Sequence, residues 1–237
     1  MKRNKSLTLT SHAHIEAQKR RIAYHEAGHA AAILVNNELK QLPPIFFRIN
    51  IHDSTQNSTA DTNAILLKGH NYSAEIEGGR LIKHVPESLE CFIDNIDQNK
   101  SNNTVSFLTV FIADIVNLLI GPLAEAKHVA ISDGEVFNKN LITVSALHNY
   151  GGSSDLTLIN EYLECFSSSK NEQDNLLAEL LDQAFDFVNN YSNWKKIRLL
   201  ARHILDEDIK TIDYNEINAL LSQSKLNESS LNKFLVR

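Results

Sequence analysis

The sequence predicts a mainly α (α+β) domain, largely helical, with a small β-sheet inserted near its N-terminal side. Three observations predict it. Long stretches toward both ends of the chain repeat apolar residues every three or four positions, the period of a buried helix face. Ile45 to Ile51 (IFFRINI) is instead dense in β-branched and aromatic residues and follows Pro43-Pro44, which reads as a strand. No internal repeat and no Pro/Gly/Ser-rich linker divides the 237 residues, a length that suits one well-buried domain.

In chain order, residues 1–10 are expected to form a flexible arm, residues 11–222 the domain and residues 223–237 a C-terminal tail. A long helix should start at Ser11, a suitable N-cap, and run to Asn37. After the strand, His52 has no partner at ligand spacing and is expected in solvent, at the head of the polar loop Asp53 to Asn63. Ala64 to Lys68 and Ala74 to Val85 read as two further strands, the second bent at Gly78-Gly79 and stopped by Pro86. Thr104 to Ala130 reads as a helix, apolar nearly all round at first, with a kink expected near Gly121-Pro122. Beyond Gly151-Gly152, Ser153 or Ser154 could cap a helix from Asp155 to Phe166. Helical periods continue over Leu176 to Val188 and Trp194 to Leu205, with a short closing helix over Ile212 to Leu221.

Composition narrows the function classes. Hydrophobic content of 43% with 22% charged residues is that of an ordinary globular protein. A net charge of −6 and a pI near 5.9 argue against a general nucleic-acid or anionic-membrane surface, so no nucleic-acid partner is expected. Val105 to Ala124 is the one stretch with the length of a membrane span. Asp114, Asn117 and Pro122 interrupt it, and an Asp at mid-bilayer costs at least ~2.5 kcal/mol, so a buried core helix is expected and no span. The basic N-terminus has no apolar run behind it and does not read as a signal peptide. Cys91 and Cys165 lack metal-type spacing and read as buried thiols in a reducing compartment, which makes a cytoplasmic location the expectation.

The chemistry concentrates between Arg20 and Val35 (RRIAYHEAGHAAAILV), where His25, Glu26 and His29 form H-E-x-x-H. Residues four apart project from one helical face, so both imidazoles can reach one ion. Glu26 lies about 100° round the helix, within reach of a water beside that ion without being a ligand. Such a pair suits Zn²⁺ with a third protein ligand and one open position. Ala23, Ala27, Ala30, Ala31 and Ala32 surround the motif and suit a buried helix. Gly28 costs ~1 kcal/mol there against Ala, which implies that something packs close to the backbone. The third ligand is open between His148, Glu125 and Asp155. Asp155 follows a Gly-Gly-Ser-Ser turn at a helix start that favours a carboxylate, whether or not a metal is near.

AYHEAGHA (Ala23 to Ala30) resembles the zinc-binding helix of the FtsH family of ATP-dependent zinc proteases. Later segments are similar in the same order. GGRLIKHVPES (Gly78 to Ser88) resembles the family's strand leading into a Leu-Pro-Glu stretch, and IGPLAEA (Ile120 to Ala126) its Gly-Gly-Arg-Ala-Ala-Glu-Glu helix. GGSSDL (Gly151 to Leu156) resembles its third-ligand motif; LLDQAFDFV (Leu180 to Val188) and DEDIKTIDYNEINALL (Asp206 to Leu221) resemble its closing helices. The likeness covers Ile15 to Ser222. It implies a zincin-like helical peptidase domain, with Zn²⁺ as cofactor on His25, His29 and Asp155, and Glu26 as general base. Glu125 is then a candidate for orienting a ligand histidine. An extended stretch of an unfolded or flexible polypeptide would add to a strand at Arg80, Leu81, Ile82 and Lys83.

The chain departs from the family at Pro122, where the family has Arg, and at Ala126, where it has a second Glu. No G-x-x-x-x-G-K-[ST] occurs in the sequence, so a stand-alone peptidase domain is the expectation. Its partners would be peptide substrates, with a second copy of the chain or an ATPase acting in trans as further possibilities. The alternatives are a catalytically silent metal-binding interaction protein on the same fold, or a different H-E-x-x-H hydrolase. Among the latter, a site-2-type intramembrane protease needs its motif within a span, which Asn36-Asn37 end too soon; a repressor-cleaving peptidase would use a downstream Glu as ligand.

Overall fold

A computed structural model describes residues 4–55, 70–82 and 107–222. The first helix, α1 (Asn4–Leu39), carries the H-E-x-x-H motif in its second half. It begins at Asn4 rather than at Ser11, so residues 4–10 are helical and not a loose arm; neither Gly nor Pro interrupts them. Ala23, Ala27, Ala30, Ala31 and Ala32 are fully buried, because α1 runs through the core between α2 (Phe107–Ser132) and α5 (Tyr191–Ile204). The crossing of α1 and α2 accounts for Gly28. A Cβ on Gly28 would lie 2.8 Å from Ala124 Cβ and 2.9 Å from the Ile120 carbonyl oxygen, so the two backbones touch there.

In α2 every residue from Ala113 to Ala126 is buried. It is the one described helix apolar and long enough to cross a membrane, yet 78% of that apolar window is covered by the protein itself, as a core helix requires. The helix passes through Gly121-Pro122 as a single element. Gly121 offers no Cβ to the proline ring, which relieves the clash that usually ends a helix before Pro. Two short 3-10 turns, Lys139–Leu141 and Val144–Tyr150, then lead to α3 (Ser153–Phe166), α4 (Lys170–Asn189) and α5. Gly152 occupies the N-cap of α3 and makes no side-chain cap, so neither Ser153 nor Ser154 plays that role.

Among the described residues the sheet has three antiparallel strands in the order β2-β1-β3. β1 (Phe47–Thr55) and β2 (His70–Gly78) pair with Ile49 opposite Ile76 and Ile51 opposite Ala74. Ile49 and Ile51 are buried in the core that α1 shares, while Arg48 and Glu77 form an ion pair on the exposed face. β3 (Thr211–Asp213) places Ile212 opposite Ile49, so Ile212 belongs to a strand and not to the closing helix. That helix, α6, spans residues 214–222 and begins where Asp213 Oδ1 accepts from Glu216 N–H.

β2 is shorter than expected at its C-terminal end. Gly78 and Gly79 take φ of +90° and +85°, and the chain leaves the sheet there. Leu81 and Ile82 then turn their N–H groups onto the buried Asp114 carboxylate at 3.2 and 2.9 Å. Arg80, Leu81 and Ile82 are therefore loop residues rather than strand residues. Ala64 to Lys68, Lys83 to Val85 and Cys91 lie outside the described residues.

Candidate metal centre

Two turns of α1 set the site. His25 and His29 are both buried, and their Nε2 atoms lie 3.1 Å apart. The tautomer of each follows from what its other nitrogen meets. His29 Nδ1 is 2.9 Å from the Asn117 carbonyl oxygen of α2. His25 Nδ1 is 3.1 Å from the Tyr150 carbonyl oxygen and 3.2 Å from Glu125 Oε2. All three are acceptors, so Nδ1 carries the hydrogen in both rings and each Nε2 lone pair points to the same small space.

Asp155 closes that space from the first turn of α3. Its Oδ2 lies 3.2 Å from His25 Nε2 and its Oδ1 3.4 Å from His29 Nε2. The turn before it needs glycine: Gly151 has φ +70°, and a Cβ there would press on His25 Nδ1 at 3.0 Å and Glu125 Oε2 at 3.1 Å. Although buried near His25, Asp155 Oδ2 receives no properly directed hydrogen bond. His25 Nε2 meets one oxygen of Asp155 and His29 Nε2 the other, and one ligand atom from each of the three residues lies within 4.8 Å of the others. A tetrahedral site with arms of ~2.0–2.1 Å has edges of ~3.3–3.4 Å, close to the 3.1 Å between the two Nε2 atoms, so the group could hold one small ion. Among the described residues these are the one group of three acidic, His or Cys side chains so gathered.

The electrostatics of the metal-free group agree. Burial opposes charge on His25, but the Asp155 and Glu125 carboxylates on either side of it outweigh it and lift the imidazole to about 10. His29 is raised as well: burial lowers it, and the Asp155 carboxylate more than compensates. Burial alone would raise Asp155, yet the two imidazoles hold it well below the usual carboxylate range. Two lone pairs and a carboxylate at this distance demand a positive charge between them, a proton in the absence of a metal. Burial pushes the Glu26 carboxyl up from the ordinary carboxylate range.

Glu26 faces a cavity of about 220 Å³ alongside the histidines, walled by Ile33, Ile76, Leu118 and Leu158, with Glu75 and Arg80 also in its lining. Of the three candidates for third ligand, the structure brings Asp155 to the histidines. Glu125 sits behind His25, and His148 is exposed with Nδ1 3.2 Å from Ser153 Oγ. His52 is exposed on the sheet. Arg80 lines the cavity next to the motif, whereas Leu81 and Ile82 are committed to Asp114; Lys83 lies outside the described residues.

Three contributors were not visible from the sequence. Asn117 supplies the carbonyl that orients His29, while its side-chain Oδ1 accepts from Asn36 at 2.8 Å. Asp114, also held by the Tyr162 hydroxyl at 2.9 Å, fixes the wall at Leu81 and Ile82. Arg21 donates to Glu125 Oε1 at 2.8 Å. It stands four residues before His25, and beyond that spacing the sequence showed only Asp114 and Asn117 as polar breaks in an apolar stretch. No protein-family model matches the chain, and no curated protein matches it either.

Proposed function

We propose that the chain is a zinc metallopeptidase that hydrolyses peptide bonds of unfolded or flexible polypeptides, on a zincin-like domain resembling that of the FtsH proteases. The observation that carries the proposal is the convergence of His25 Nε2, His29 Nε2 and the Asp155 carboxylate at 3.1–3.4 Å, beside a cavity that Glu26 faces. His25, His29 and Asp155 would hold Zn²⁺, and Glu125 and the Asn117 carbonyl would orient the two imidazoles. When bound, zinc supplies Lewis-acid chemistry, making water acidic near neutral pH and polarising a carbonyl.

The remaining work falls to the chain's own groups. Glu26 takes a proton from the water that attacks the scissile carbonyl and hands it to the departing amine nitrogen. A structural zinc needs no such carboxylate at the mouth of a cavity, which supports catalysis over a silent metal site. Among the described residues β2 is an edge strand, and Glu75, Ile76 and Gly78 line the cavity. An extended substrate therefore adds to the β2 edge, upstream of the loop at Arg80 to Ile82. The compartment proposed is the cytoplasm, where the buried thiol of Cys165 stays reduced. An ATPase in trans is needed only for folded targets.

The test is proteolysis of casein by the purified protein, with a tightly folded protein as control. Casein should be cleaved at a rate that ATP and Mg²⁺ do not change. A zinc chelator should stop cleavage, added zinc should restore it, and the folded control should survive. Cleavage that ignores the chelator, or that appears only with ATP, would contradict the proposal.

A further inference from the structure

We propose that Arg21 is a positioning residue for the metal centre, a clamp that ties α1 to Glu125 of α2 and to the turn that leads into Asp155. The inference rests on the reading of His25, His29 and Asp155 as metal ligands. Arg21 lies one helical turn before His25, on the same face of α1. Its Nε donates to Glu125 Oε1 of α2 at 2.8 Å, while the other oxygen of that carboxylate sits 3.2 Å from His25 Nδ1. Its Nη2 donates to the Asn149 carbonyl oxygen at 2.7 Å. The next carbonyl, on Tyr150, is 3.1 Å from the same His25 nitrogen, and the chain then passes through Gly151 into the helix that carries Asp155. One planar guanidinium therefore fixes the carboxylate that aims His25 and the turn that delivers Asp155.

The side chains differ in exposure in a way that fits this role. Glu125 is 6% exposed and Arg21 is 42% exposed, so the arginine reaches in from the surface to a carboxylate that water hardly touches. Without the clamp, Oε1 loses its donor and the carboxylate can rotate away from His25 Nδ1. The Asn149-Tyr150 turn loses its tie to α1 at the same time. A lysine cannot replace both bonds, because its single ammonium lacks the rigid fork that spans two acceptors.

Zinc affinity of the full chain, measured by competition with a chromophoric chelator, tests the clamp. Arg21→Met should weaken zinc binding by about 10-fold, the lower end of the range for partners that orient a ligand, and Arg21→Lys should fall between Met and wild type. The visible absorption of the Co²⁺-substituted protein should shift in Arg21→Met, since that spectrum follows ligand orientation and ignores stability elsewhere. In a Glu125→Gln background the same change should cost less, because the carboxylate is gone and the tie to the Asn149 carbonyl alone remains. Wild-type affinity with an unchanged cobalt spectrum would overturn the clamp, as would full additivity of the two substitutions. If Arg21→Met does not fold, the comparison of Arg21→Lys with wild type carries the same decision. Failure of the wild-type protein to bind either metal would instead overturn the underlying assignment of ligands.

Discussion

Glu26→Gln should keep its zinc and lose hydrolysis of casein by a factor of at least ~10². The substitution preserves the shape and volume of the side chain and removes the ability to accept a proton. Glu26 is not among the residues whose atoms converge on the cation site, which are His25, His29 and Asp155, so metal content should not follow activity. It does line the cavity beside them, where burial pushes its carboxyl up from the ordinary carboxylate range. Activity measured alongside zinc content separates the two roles, and the variant also excludes a contaminating protease. Unchanged hydrolysis would mean that the proton goes elsewhere. Joint loss of zinc and activity would mean that Glu26 helps to hold the metal.

Gly121→Ala should cost at least ~10² in zinc affinity while leaving the protein folded. A Cβ built on Gly121 overlaps the His29 imidazole, at Nε2, Cε1 and Cδ2. The ring is held from behind by the Asn117 carbonyl, so it cannot yield without giving up that hydrogen bond. Changes in groups that merely orient a ligand cost 10–100-fold, and displacing a ligand should exceed that. Helix propensity works the other way, since Ala favours a helix interior over Gly by roughly 0.5–1 kcal/mol. The pre-proline clash relieved by Gly121 takes some of this back. Overlap with the buried ring costs ~1–3 kcal/mol of stability, partly offset by helix propensity, so zinc affinity should fall much further than the thermal stability of the protein without zinc. Wild-type zinc affinity in Gly121→Ala would mean that His29 is not confined as described.

What could be read from the sequence is what is local. H-E-x-x-H places two imidazoles on one helix face because helical spacing is a property of five neighbouring residues. The alanines around it and the cost of Gly28 pointed to a close crossing, and Ala124 and Ile120 supply it. The residues alone could not choose among His148, Glu125 and Asp155, since the choice depends on how α2 and α3 pack against α1. Glu125 and Asp155 both lie 3.2 Å from His25, one from each side, and only the ring nitrogen each meets, Nδ1 or the Nε2 that faces His29, tells a supporting carboxylate from a donor. The end of β2 was missed for a similar reason. Leu81 and Ile82 suit a strand by composition, but positive φ at Gly78-Gly79 and the buried Asp114, more than 30 residues away, draw the chain out of the sheet. β3 is three residues long and exists through its pairing with β1, roughly 160 positions earlier, so no local period announces it. Arg21 was in view as a residue and hidden as a contact, because its partners are 104 and 128 positions downstream.

The most direct test is elemental analysis of purified protein dialysed at pH 7.5 and at pH 5, beside a His25→Ala, His29→Ala double variant. Burial opposes charge on His25, but the Asp155 and Glu125 carboxylates outweigh it and raise the imidazole, so protons and a metal compete for the same donors. Affinity should therefore fall as pH falls, by about tenfold per unit for each proton displaced. The expected result is about one zinc per wild-type chain at pH 7.5, less at pH 5, and none in the double variant. Zinc retained stoichiometrically without the two histidines, or a wild-type protein that takes up none at pH 7.5, would contradict the metal centre on which the rest is built.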